Sequence, residues 1–211
     1  MPLEIHPMTS EADFADFARI QLAAFKSGIA FKLVPRPIAD DYVPKNAAKH
    51  KKSVEDEPDL RFIKVVDTDL GGKMIAGAKW RINEKERTEE QIQIQLPNPE
   101  KDAAGPAAKE FLEYLRTVRL KYMGTKPFYF LHILATDPDH ERRGAGALLI
   151  KWGTEQADKA KLPSFLEASR EGKPLYQRQG FQPVFEQTFN LEAHGGVGTD
   201  QNTAMIREPQ Q

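Results

Sequence analysis

Cysteine is absent from this 211-residue chain. That excludes a disulfide framework, a thiolate nucleophile and a Cys-ligated zinc, and it fits a reducing compartment. Long apolar runs are missing too. No window approaches the roughly 18 apolar residues that a membrane-spanning helix requires. The opening segment MPLEIHPMTSEADF carries acids and no apolar stretch of signal-peptide length. An excess of either charge is also lacking: 30 Lys and Arg face 31 Asp and Glu, for a formal net charge of −1. Such a chain has no broad electrostatic reason to coat nucleic acid or an anionic membrane. His6, His50, His140 and His194 are scattered, without a spacing such as His-x3-His, so no metal is expected. These absences point to a soluble cytoplasmic protein with neither nucleic acid nor membrane as partner. A monomer or homodimer is expected.

What is present suffices for a core. Apolar residues make up 40% of the chain, enough for one well-packed domain. Leu3 to His6 alternates as a short strand, and Thr9 or Ser10 can cap a helix whose apolar residues Phe14, Phe17, Ile20 and Ala24 recur at helical spacing. Pro35 and Pro37 interrupt the next stretch, and 39–56 reads as a polar, lysine-rich surface helix. The segments 61–67 and 73–83 read as strands joined through Gly71-Gly72 into an antiparallel hairpin. Residues 84–105 read as an irregular excursion and 106–123 as a helix, so that 84–125 forms an unusually long connection. Phe128 to Ala135 is a nearly continuous apolar run, as in a strand buried on both faces. A helix from near Arg143 to Lys161, a strand over 164–168, a short helix closed by Gly180, and strands over 181–190 and 203–207 complete the chain, with 194–202 as a loop. The expected fold is α/β (α+β): one domain over 1–211, a mixed and mostly antiparallel sheet with helices on both faces, and a long helical insertion at about 84–125.

The most informative stretch is Glu141-Arg142-Arg143-Gly144-Ala145-Gly146-Ala147, between a buried strand and an amphipathic helix. Small residues let a ligand approach the backbone. The first N–H groups of a helix lack internal partners and carry the positive end of its dipole. Together they make a cradle for a phosphate or diphosphate, to which Arg142 and Arg143 can add charge-assisted contacts. The same glycines also suit a tight strand-to-helix turn with no ligand. A dinucleotide fold would carry a fuller Gly-x-Gly-x-x-Gly near the first strand, and a P-loop would carry Gly-Lys-Ser/Thr; neither is present.

Here the chain resembles the GNAT acetyltransferase superfamily. The family's turn, (Gln/Arg)-x-x-Gly-x-(Gly/Ala), is matched by Gly144 and Gly146, with Glu141 in place of the usual first residue. A second mark, Leu-Tyr-x-x-x-Gly-Phe, is matched by Leu175, Tyr176, Gly180 and Phe181. The segment Leu131-His132-Ile133-Leu134-Ala135 looks like that of the arylalkylamine N-acetyltransferases, which carry two histidines in this strand; here His132 keeps the second and Phe130 replaces the first. Similar segments occur in many fungal GNAT-like proteins.

The resemblance implies acetyl-CoA as co-substrate. Leu134, Ala135 and Thr136 would pair their main chain with the pantetheine arm, and the amides of Arg143, Gly144, Ala145, Gly146 and Ala147, beside Arg142, would hold the diphosphate. Tyr176 would protonate the departing thiolate, against the alternative of a packed Tyr. His132 would take the proton of the acceptor ammonium, against a hydrogen-bonded core histidine; an imidazole's ordinary range suits that task. Ser169 and Arg178 could meet the coenzyme, although Arg178 is equally a solvated side chain. Phe31, Trp80 and Phe130 could line an acceptor pocket, with aromatics such as Phe25 and Trp80 also candidates for the core. Glu167 could pair with an amine, but a strand-end Glu is more commonly solvated. The expected reaction is acetyl transfer to a primary amine of a small molecule by direct attack in a ternary complex. A protein or peptide acceptor, and a coenzyme-binding module without catalysis, are the alternatives.

Overall fold

The computed structural model describes residues 2–34 and 37–210; Pro35 lies outside them. In chain order the elements are β1 (Leu3–Pro7), α1 (Glu11–Ala24), α2 (Tyr42–Asp56), β2 (Leu60–Asp67), β3 (Lys73–Asn83), α3 (Glu89–Gln95), α4 (Pro99–Asp102), α5 (Pro106–Tyr122), β4 (Phe128–Thr136), α6 (Ala145–Ala160), β5 (Ser164–Ser169), α7 (Lys173–Arg178), β6 (Gln182–Asn190) and β7 (Thr199–Arg207). This is a mostly antiparallel α+β fold. The chain forms two compact units: Met1–Lys26, Ile38–Ile82 and Tyr129–Gln156 in the first, and Ser27–Pro37, Asn83–Phe128 and Ala157–Gln211 in the second.

In the first unit the strands run in the order β1-β2-β3-β4. Ser10 starts α1 through a capping box: its Oγ accepts from the Asp13 amide at 3.1 Å, and Asp13 accepts from the Ser10 amide at 3.1 Å. The apolar stripe of α1 then buries Phe14, Phe17 and Ile20 with Met8, Leu60, Phe62, Met74 and Ala135. Gly77 of β3 makes room for this stripe. A Cβ there would lie 2.5 Å from the Phe17 ring and 2.6 Å from the Met8 methyl. β2 and β3 pair antiparallel, with Ile63 opposite Ala78. Their connection is set by Asp67, whose carboxylate accepts from the Asp69 amide at 3.0 Å, and by the left-handed Gly71 and Gly72. On β3, Trp80 is fully buried. Its indole donates to the Leu149 carbonyl at 3.3 Å, and Gly153 of α6 admits the ring, since a Cβ there would stand 2.3 Å from it.

In the second unit β7 lies between β5 and β6, antiparallel to both. α5 lays Phe111 and Tyr114 edge-on against Phe189 of β6, each with ring centroids 5.6 Å apart. Two expectations change here. The stretch 84–105 holds two short helices, not an irregular excursion. Thr88 starts α3 with a capping box to Gln91, and Asn98 caps α4 ahead of Pro99. The loop expected over 194–202 is strand from Thr199 onward, because β6 supplies a ladder partner for each residue, from Asn190 opposite Thr199 to Gln187 opposite Asn202.

A third change concerns α2, which is not purely a surface helix: Ala47 and His50 are buried. His50 sits 2.8 Å from Gln21 Oε1 through Nε2, with its ring 5.5 Å from Phe17 and 5.2 Å from Phe62. Burial, aided by the charges of Lys79 and Lys49, lowers its pKa to about 4. The unfolded chain therefore takes up a proton below an ordinary value of 6.5 that the folded chain refuses. This contribution to stability is intact above that value and is lost as pH falls toward about 4. Urea unfolding at pH 7 and pH 5 should show wild type losing about 2 kcal/mol more than His50→Gln over that interval. Equal losses would show that His50 does not titrate this way.

Candidate functional site

In the first unit the site is built from the exit of β4. Successive residues of a strand face opposite sides. Ile133 and Ala135 pack into the α1 core, whereas Phe130 and His132 stack on the other face with centroids 5.0 Å apart and planes at 23°. His132 and Leu134 are half-buried on that face, and Phe130 is buried. The chain then leaves the sheet. The Asp137 amide donates to the Ile75 carbonyl at 2.8 Å, and the Asp137 side chain caps a single 3-10 turn, Pro138–His140.

The Gly turn that follows is open. Glu141 to Gly144 are exposed, and Arg142 and Gly144 adopt left-handed φ of 59° and 92°. A Cβ on Gly144 would meet nothing within 4 Å. The helix's first bond runs from the Leu148 amide to the Gly144 carbonyl at 3.1 Å. The amides of Ala145, Gly146 and Ala147 precede it and have no partner among the described residues. Ala145 and Gly146 are buried and Ala147 is half-buried, directly behind the exposed Glu141–Gly144 stretch; the free donors and the positive dipole end suit a diphosphate laid on that stretch.

The two arginines of the turn differ. Arg143 donates through Nη2 to Asp67 and places Nη1 3.1 Å from His140 Nδ1. Asp67 is fully buried. Burial alone would raise its carboxyl, but the Arg143 hydrogen bond, the Asp69 amide and the Arg143 charge outweigh it and hold the carboxyl below its usual range. Arg142 is exposed and makes no ion pair among the described residues.

In the second unit, α7 carries Tyr176 and ends at the left-handed Gly180. Tyr176 is buried with its ring 6.2 Å from Phe181, and its hydroxyl has no hydrogen-bond partner among the described residues. Burial pushes the phenol above its usual range, so it keeps its proton. Ser169 Oγ accepts from the Gly172 amide at 3.1 Å and so fixes the turn into α7, while Arg178 is exposed.

Glu167 is not a solvated strand-end residue. Arg119 of α5 grips it through Nε at 2.7 Å and Nη2 at 3.2 Å, with the two side chains 7% and 5% exposed. Nearby, Tyr114 donates to Asn202 Oδ1 at 3.0 Å, and burial together with the Glu167 charge raises its phenol. Phe31 is half-buried in the short 3-10 turn Ala30–Leu33. Trp80 belongs to the core described above, as does Phe25, which packs against the α1 cluster. The structure thus gathers Phe130, His132, Leu134 to Thr136 and the Gly turn in the first unit, and Glu167, Ser169, Tyr176 and Arg178 on β5 and α7 in the second. Sequence reading missed Asp67 and His140 as partners of Arg143, and Arg119 as partner of Glu167. These pairs are separated by 48 or more positions in the sequence, except His140 three residues away.

Comparison with known proteins assigns a class. The sequence model described as the acetyltransferase (GNAT) family matches residues 31–181. The chain belongs to that family. A protein of Ajellomyces capsulatus named as a probable acyltransferase is 40% identical over 44 residues, covering 21% of this chain and 32% of that protein. The chain spans 32% and 36% of the length of the curated relatives it matches. Among solved structures, arylalkylamine N-acetyltransferase 2 of Aedes aegypti superposes with a TM-score of 0.69 at 14% identity, covering 100% of both chains. The yncA protein of Salmonella typhimurium, solved with acetyl-CoA, gives 0.61 at 12% identity, covering 100% of this chain and 96% of that one. At these identities the two structures speak to the fold.

The Arg119–Glu167 pair yields a stability prediction. Removing one partner strands a buried charge, so Arg119→Met alone should cost about 3–5 kcal/mol in chemical unfolding. Arg119→Met combined with Glu167→Leu should recover most of that loss. A single variant as stable as wild type would show that the pair is open to water.

Proposed function

We propose that the chain is an acetyl-CoA-dependent N-acetyltransferase that moves an acetyl group to a primary amine of a small molecule by direct attack in a ternary complex. The supporting observation is the open Gly144 turn. Its unpartnered amides open the helix that follows, after one 3-10 turn, a strand whose far face carries a histidine, in a chain of the GNAT family. In this reading the chain is one domain over 1–211, with a long helical insertion at about 84–125. The lack of cysteine supports a cytoplasmic location, and no described helix is long and apolar enough to cross a membrane.

Bound acetyl-CoA supplies an activated thioester. The amides of Arg143 to Ala147 and the exposed Arg142 hold the diphosphate, and the main chain of Leu134, Ala135 and Thr136 aligns the pantetheine arm as an added strand would. An amide near Leu134 steadies charge on the acyl oxygen. His132 takes the proton that an ammonium must lose before its nitrogen can attack. Tyr176 holds a proton that the departing sulfur needs. Burial keeps the Tyr176 phenol protonated, so its O–H is present to donate a hydrogen bond toward that sulfur. With no cysteine in the chain, a Cys acyl-enzyme is excluded. Ser169 and Arg178 serve the coenzyme arm, while Phe130 and Phe31 offer apolar surface to the acceptor. Glu167, bound to Arg119, is poorly placed to pair with an amine.

Acetyl-CoA turnover on a panel of amines tests the reading. Tyr176→Phe should lower kcat by about 10²-fold or more, with coenzyme affinity little changed, and His132→Ala should lower kcat/KM for the amine by a similar factor. Coenzyme binding with no turnover on any amine would favour a binding module instead. Turnover confined to peptides would move the acceptor class.

A further inference from the structure

Beside the Gly turn lies a cluster of cationic side chains that the acetyl-transfer reading does not use. The His140 ring stands between two cations. Lys73 Nζ is 3.0 Å from its Nε2, and Arg143 Nη1 is 3.1 Å from its Nδ1. A neutral imidazole offers one lone pair and one N–H, and a protonated one offers two N–H groups. In either state at least one cation faces a donor. The surrounding carboxylates do not resolve this excess. Asp137 Oδ2 is 3.6 Å from Lys73 Nζ, and its Oδ1 already accepts from the Asp139 amide at 3.1 Å. Asp67 accepts from the other Arg143 terminal nitrogen and from the Asp69 amide. The cluster is reachable from solvent, with the Lys73 side chain 51% and Arg143 37% exposed. Surplus donors on three converging side chains suit a ligand that brings several anionic oxygens and no hydrogens, and a phosphate monoester is such a ligand.

Arg143 ties the cluster to the turn, since its own amide belongs to the segment proposed to hold the diphosphate. Coenzyme A carries a second phosphate group, a monoester on the ribose 3′ carbon, one sugar ring from the diphosphate. We propose that Lys73, His140 and Arg143 form a subsite for this 3′-phosphate and make the chain select coenzyme A over its 3′-dephospho form. The proposal rests on the coenzyme reading of the Gly144 turn.

Titration calorimetry with CoA and with 3′-dephospho-CoA, at one ionic strength, tests it. Wild type should bind the dephospho form about tenfold or more weakly. The double variant Lys73→Ala, His140→Ala should bring CoA to within about threefold of the dephospho form and leave affinity for the latter unchanged. Equal wild-type affinities would overturn the subsite, as would a double variant that still discriminates or that loses both ligands together. If wild type binds neither ligand, the coenzyme reading itself falls. A melting curve of the variant without ligand confirms that it is folded.

Discussion

The structure of the first unit depends on one constraint: an apolar strand must end in polar main chain that nothing internal satisfies. β4 is buried along its first half and pins Ile133 and Ala135 under α1. Buried strands of this kind satisfy their amides in the ladder. Once the chain leaves the sheet at Asp137, that option ends, and α6 begins three donors before its first internal bond. Left-handed φ at Arg142 and Gly144 turns the chain into the helix within a few residues, just behind the exposed stretch from Glu141 to Gly144. A ligand with phosphate oxygens is a natural complement to what remains.

Several carboxylates at buried or half-buried places are held by an arginine from a distant segment. Asp67 is matched by Arg143, Glu167 by Arg119, and Asp158 by Arg207 at 2.7 Å and 2.8 Å. None of these carboxylates is free to act on a substrate without abandoning its partner, and breaking such a pair leaves an uncompensated charge.

Much of this could be read from the sequence because it is local. The apolar run of β4, the Ser10 box, the hairpin at Gly71-Gly72 and the turn at Gly144 are all encoded within a few residues. The helices α3 and α4 were also encoded locally, by Thr88 with Gln91 and by Asn98 with Pro99, but charge density and Gln content obscured them. α2 hid differently: its segment YVPKNAAKHKKSVED shows no apolar stripe, and it buries a small alanine and a histidine. The beginning of β7 was illegible because Thr199 to Asn202 lack alternation and become strand through pairing with β6. Around the site, the glycines and Tyr176 stood out by motif. Lys73 and His140, and Arg119 and Glu167, meet across 67 and 48 positions, and no spacing rule reports such meetings.

Gly153 has a consequence beyond packing. It lies eight residues into α6, about 12 Å along the axis from the helix start at 1.5 Å per residue. The indole of Trp80 occupies the notch it leaves. A rigid rod keyed at one point cannot slide without moving its ends, so the aromatic ring acts as a locating pin. It indexes where the first turn of α6 presents its amides, although it touches none of them.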